Sequence, residues 1–102
     1  SYAFRTRQPV VVSDLVNETR FEPDAVFLEL GVRSGLNVVI EGAQTPFGIL
    51  EVDSRKVRTY TQDEIDFLQA AANVLSQAIQ RQQADLDREG RTDKLAAPVG
   101  YS

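Results

Sequence analysis

Residues 61–84 read TQDEIDFLQAAANVLSQAIQRQQA and contain neither Gly nor Pro. Good helix formers fill most of the stretch, so one uninterrupted helix is predicted over Thr61–Ala84. Thr61 and Glu64 stand at capping-box spacing, in which each side chain satisfies an orphan backbone donor of the first turn. Asp63 and Glu64 add negative charge where the helix dipole favours it. Such a helix would be about 36 Å long at 1.5 Å per residue.

The faces of that helix restrict what the rest of the chain can be. At about 100° per residue, Ile65, Leu68, Ala72, Leu75 and Ile79 fall on one stripe. Phe67, Ala71, Val74 and Ala78 fall on an adjoining one. Asp66, Gln69, Asn73, Ser76, Gln77 and Gln80 share the remaining side. The apolar arc spans about half the circumference, wider than the roughly 100° a helix needs to sit on one core. Two contacts are therefore expected, one with the chain's own sheet and one with another helix. The first stripe keeps a heptad spacing as far as Leu86, interrupted by Gln82. It supplies the expected homodimer interface: Ile65, Leu68, Ala72, Leu75 and Ile79. The plainer alternative is a single well-buried helix in a monomer.

At 102 residues the chain is one domain or part of one. Its apolar content of 42% and charged content of 25% are ordinary for a soluble globular domain. A net charge of −4 argues against a nucleic-acid partner, which needs clustered Lys and Arg. No apolar run approaches the roughly 20 residues of a membrane span, and no signal-peptide pattern opens the chain. A cytoplasmic location is expected, with no membrane partner. Cys, His, Met and Trp are all absent. That removes thiol nucleophiles, Cys or His metal sites and the usual haem ligands, so no metal and no cofactor are expected.

Along the chain, Ser1–Gln8 reads as a helix end or an extended lead-in, interrupted by Pro9. Val10–Val12 is a short β-branched strand. Asp14 is placed to cap a turn over Leu15–Glu18 through its carboxylate. Pro23, as a first helical residue, and Asp24 start a short helix that Gly31 ends. Leu36, Val38 and Ile40 alternate with Asn37, Val39 and Glu41 in the period of a half-buried strand. EGAQTP (41–46) is turn chemistry, and FGILEV (47–52) is the second strand of an antiparallel hairpin. Gly48 within it marks an expected close approach of another group. Arg55, Lys56 and Arg58 lie in a polar loop, read first as solvated and second as an anion site. Beyond Ala84 the composition turns charged and then Gly- and Pro-containing. Gly90 is the expected helix stop, and 85–102 the expected linker or tail after a domain at 1–84.

Four pieces in order are similar to the C-terminal two-thirds of a GAF domain: QPVVVSD (8–14), GVRSGLNVVI (31–40), FGILEVDS (47–54) and RTYTQDEIDFLQAAANVLSQAI (58–79). The resemblance implies an α+β fold, GAF-like or PAS/profilin-like. An antiparallel sheet is flanked by helices, truncated at its N-terminus and followed by a long C-terminal helix. It implies a small-molecule sensor or dimerisation module of signalling proteins such as histidine kinases. Its pocket would lie on the sheet face away from the last helix, roofed by Asp14–Gly31. Asp14, Phe27, Arg33 and Ser34 are the candidate ligand-binding residues that follow. Arg33-Ser34 matches a pair recurrent in the family, with backbone bracing as the alternative reading. The family's opening helix and two strands are missing, so the sheet has an edge to cover. The Asn-Lys … Phe … Asp-Glu signature of the cyclic-nucleotide-binding subset is not matched. The bilin-attaching and methionine-sulfoxide-reducing subsets use Cys, which is absent.

Two functions are expected from different classes: a sensor that binds an unknown small molecule and relays through the C-terminal helix, and a ligand-free dimerisation module. Catalysis is not expected, because no nucleophile, base and orienting group can be assembled from these residue types.

Overall fold

The computed structural model describes residues 2–96, with side chains described over residues 2–90. The elements in order are helix α1 (Tyr2–Thr6), strand β1 (Val10–Val12), a 3₁₀ turn (Leu15–Asn17), helix α2 (Ala25–Glu29), strands β2 (Ser34–Ile40) and β3 (Gly48–Ser54), and helix α3 (Gln62–Ala96). The sheet runs β1-β2-β3, antiparallel throughout. Val10 lies opposite Asn37, and Leu36 lies opposite Val52. The architecture is the α+β arrangement expected from the sequence.

Strand alternation splits the core into two clusters, one on each face of the sheet. On one face Val10, Val12 and Val39 pack with Ala3 and Leu15, and Phe21, Phe27, Leu28 and Ile49 close round them. On the other, Leu36 and Val38 pack against Leu68 and Ala72 of α3, with Val11, Leu50 and Ile65 alongside. Burying a side chain such as Leu68 is worth roughly 1.5–3 kcal/mol, more than propensity supplies to any single turn.

Helix α3 starts as its sequence dictates. The Glu64 N–H donates to Thr61 Oγ1 at 3.1 Å, and the Thr61 N–H donates to Glu64 Oε1 at 3.0 Å. Its orientation departs from the expectation. Leu68 and Ala72, two of the five residues assigned to a homodimer interface, are buried against the chain's own sheet. Ser76, placed on the polar side by the helical wheel, is buried too and donates to the Glu41 carbonyl at the end of β2. This hydroxyl meets the carbonyl of the residue that follows β2. The stripe of Phe67 and Val74 is left outward, 77% and 65% exposed. The helix also passes Gly90 and continues to Ala96, across the expected boundary at 84/85. One exposed Gly costs about 1 kcal/mol relative to Ala, too little to end a helix of this length. The part of the expected tail at 97–102 lies outside the described residues.

Helix α2 is short and held by its ends. Asp24, not Pro23, is the boundary residue, and its carboxylate accepts from the Val26 N–H at 2.9 Å. Gly31 ends the helix at φ 84°, a left-handed conformation that favours Gly. The Gly31 N–H donates to the Leu28 carbonyl at 3.1 Å and the Val32 N–H to the Phe27 carbonyl at 3.0 Å, the paired closure of a Schellman motif. Gly48, by contrast, faces open space, so the close approach expected there is not made.

Candidate functional site

The sheet face away from α3 carries a cavity of about 350 Å³. That volume is at the lower end of the range typical for small-molecule sites, about 300–1,000 Å³. Tyr2 of α1, Leu15 of the 3₁₀ turn, Phe21, and Phe27 of α2 supply its apolar walls. Glu22, Asp24 and Glu51 supply carboxylates. Each side chain arrives by a local rule. Glu51 stands two residues from Ile49 on β3 and so shares its face of the sheet. Phe27 faces inward because the Asp24 cap and the Gly31 closure fix the only turns of α2. Tyr2 and Phe21 pack with ring centroids 5.5 Å apart.

Glu51 is the electrostatic centre of this site. Partial burial, a hydrogen bond to the Asp53 side chain and the charge of Asp53 push its carboxyl up from 4.5 to about 7. Asn37 opposes the shift. With its amide oriented so that nitrogen faces Glu51, Asn37 donates to Glu51 Oε1 at 3.0 Å. Asp53 is two residues on along β3, directly opposite Gly35 of β2. A Cβ on Gly35 would come within 2.7 Å of Asp53 Oδ1, so the glycine makes the space that the carboxylate fills.

Of the four candidate ligand residues, only Phe27 lines this cavity. The Asp14 carboxylate makes no backbone cap and instead accepts from Asn17 Nδ2 at 2.8 Å. Arg33 braces the backbone, its Nη1 donating to the Val32 carbonyl at 2.8 Å and the Leu28 carbonyl at 3.3 Å. Ser34 is buried, donates to the Lys56 carbonyl at 2.6 Å and lies 3.2 Å from Tyr60 Oη. Arg58, from the basic loop, stacks 4.4 Å over the Tyr60 ring and pairs with Glu64. Glu51, Glu22, Tyr2 and Phe21 were not singled out from the sequence. The available signal was Glu51-x-Asp53, two carboxylates on one face of an otherwise apolar strand.

A second cleft of about 350 Å³ lies on the opposite face, between β3 and the start of α3. Leu36, Val52, Tyr60, Phe67 and Leu68 line it, with Asp63, Glu64 and Arg58 at its rim. Among the described residues no cluster of three or more Asp or Glu side chains is placed to hold a metal ion. No described helix is long and apolar enough to cross a membrane.

A family model described as GAF domain matches residues 1–79. Among solved structures, a domain of a protein named as a two-component sensor histidine kinase from Sinorhizobium meliloti 1021 is similar, with 18% identity and a TM-score of 0.72, covering 80% of this chain and 57% of that one. The GAF domain region of a protein named as a membrane protein from Geobacter sulfurreducens PCA has 26% identity and a TM-score of 0.61, with coverages of 78% and 54%. A type II free methionine-R-sulfoxide reductase from Thermoplasma acidophilum has 20% identity and a TM-score of 0.64, with coverages of 74% and 51%. The chain thus spans about half the length of these solved chains. No curated protein matches it.

Proposed function

The chain belongs to the GAF domain family, and from that premise we propose that it is a sensory or regulatory domain of a signal-transduction protein that binds a small ligand and relays through α3. The observation that carries this reading is the placement of the aromatic and carboxylate-lined cavity on one face of the sheet and of α3 on the other. Strand β3 belongs to both. Its Glu51 lines the cavity, while its Leu50 packs with the cluster that holds α3. A ligand that favours one arrangement of β3 over another biases the seat of α3 by its difference in affinity for the two.

The domain's role is regulatory and not catalytic. Its resemblance in fold to a methionine-R-sulfoxide reductase brings no thiol with it, since the chain has no Cys. The same reading puts the domain in the cytoplasm, with no nucleic-acid partner. Thermal unfolding across a panel of metabolites tests it. A binder is expected to stabilise the chain by about 2.7 kcal/mol at a hundredfold excess over its Kd. No shift with any compound would contradict the reading.

The second reading, a ligand-free dimerisation module, is favoured by Phe67 and Val74, which are exposed along α3, Phe67 lining the cleft with Val52. A homodimer would use this outer stripe together with Leu75, which is 40% exposed. Sedimentation as a monomer at high concentration would set this reading aside.

A further inference from the structure

We propose that the cavity beneath α2 takes a small organic cation, a primary ammonium on an apolar or aromatic body, with Glu51 and Glu22 matching its charge and Tyr2, Phe21 and Phe27 enclosing its body. The proposal rests on the reading of this cavity as a ligand site and adds the chemistry of the ligand.

Three observations converge on that chemistry. First, every charged group lining the cavity is a carboxylate: Glu22, Asp24 and Glu51. Asp24 uses Oδ1 to cap α2, which leaves Glu22 and Glu51 as the carboxylates not engaged in a helix cap. Two cations flank Tyr2, and neither lines the cavity. Arg5 and Arg20 lie 5.6 and 5.7 Å from its ring centroid, and Arg20 is already bound to the Val11 carbonyl and Glu18. An anionic ligand would meet like charge at Glu22 and Asp24.

Second, the carboxylates do not close to metal-binding spacing among the described residues. The charge is spread across a cavity of about 350 Å³, which suits a cation carried on a carbon skeleton. An aromatic wall adds attraction for such a cation through the ring quadrupole.

Third, Glu51 sits beside a second carboxylate on its own strand. Asp53 presses on it from its own strand and Asn37 from β2, while Glu22 and Asp24 share the cavity. Two adjacent carboxyls resist losing both protons. An ammonium ion relieves that repulsion, so ligand binding and deprotonation of the pair favour each other.

The experiment compares phenethylamine, phenylacetate and 2-phenylethanol, three probes of like shape with positive, negative and no charge. Binding to the chain is followed by amide chemical shifts. A Kd on the order of millimolar is expected for an amine of this size. Phenethylamine should bind at least about tenfold more tightly than either isostere, and Glu51→Gln should remove that preference, as loss of a charge-assisted hydrogen bond implies. Glu22→Gln serves as a second variant in case Glu51→Gln weakens the fold. If phenylacetate or 2-phenylethanol binds equally well, the charge assignment is overturned and the cavity reading stands. If none of the three moves the resonances of Phe21, Phe27 and Glu51, the proposed ligand chemistry is overturned, while the cavity reading is decided by the metabolite panel.

Discussion

Ser34 Oγ lies 3.2 Å from the Tyr60 hydroxyl, joining the first residue of β2 to the residue just before the cap of α3. Ser34 donates its own proton to the Lys56 carbonyl, so Tyr60 is the donor in this contact. One buried hydroxyl thus ties the β3–α3 loop to the sheet at two points. Replacing Ser34 with Ala leaves a carbonyl and a phenol without their partner. A loss of about 1–3 kcal/mol is expected in urea unfolding. A loss below about 0.5 kcal/mol would show that the loop is held by other means.

The start of α3 gives a prediction with a defined pH sign. The Thr61 backbone N–H, and then Arg58, hold the Glu64 carboxyl below its ordinary value of 4.5. A depressed folded-state value stabilises the fold above the unfolded value, and that contribution disappears as pH falls through the folded one. Glu64→Gln should therefore reduce the loss of stability seen on acidification below about pH 4.5. Thr61→Ala should cost about 1 kcal/mol at neutral pH. Unfolding curves between pH 3 and pH 7 measure both.

Partial burial and then Asp53 set the opposite sign at Glu51. Its carboxyl is raised to about 7, so the folded chain holds that proton more tightly than the unfolded chain does. The resulting stability is complete below about pH 4.5 and falls away as pH rises through about 7. Glu51→Gln should flatten this slope. Gly35→Ala would place a Cβ 2.7 Å from Asp53 Oδ1 and 3.2 Å from the Val52 carbonyl. The carboxylate can swing away but the strand carbonyl cannot. The variant should destabilise the sheet by about 1–3 kcal/mol. It should also lower the Glu51 titration midpoint, read by carbon-detected NMR.

Leu68 and Phe67 are neighbours in sequence with opposite environments, 8% and 77% exposed. Leu68→Ala should cost about 2–5 kcal/mol, because it empties space beside Leu36 and Val38. Phe67→Glu should change stability by less than about 0.5 kcal/mol. If the outer stripe of α3 is a dimer contact, Phe67→Glu alone lowers the sedimentation coefficient, while Leu68→Glu unfolds the chain.

What could be read from the sequence was local. Thr61 and Glu64 form their cap because both partners sit within one turn. Val10–Val12, the hairpin and the Gly31 closure follow from short-range pattern in the same way. What could not be read needed a partner from elsewhere. The wheel placed Ser76 on the polar side, yet it is buried and donates to the Glu41 carbonyl, a partner 35 residues away. Leu68 and Ala72 were expected to meet another helix and pack on the sheet instead, since an apolar stripe does not name its partner. Asp14 sits at a turn start with extended backbone, but its carboxylate turns to Asn17. Glu51 was passed over because strand alternation marks two faces without saying which one a cavity occupies.

The central claim is that a ligand on one face of this sheet alters the seat of α3 on the other. Backbone amide spectra recorded with and without the most stabilising compound of a metabolite panel test it most directly. The expected result is a set of shifts at Phe27 and Glu51 together with a second set at Leu68, Ala72 and Ser76. Shifts confined to the cavity face, with the α3 resonances unmoved at saturation, would contradict it.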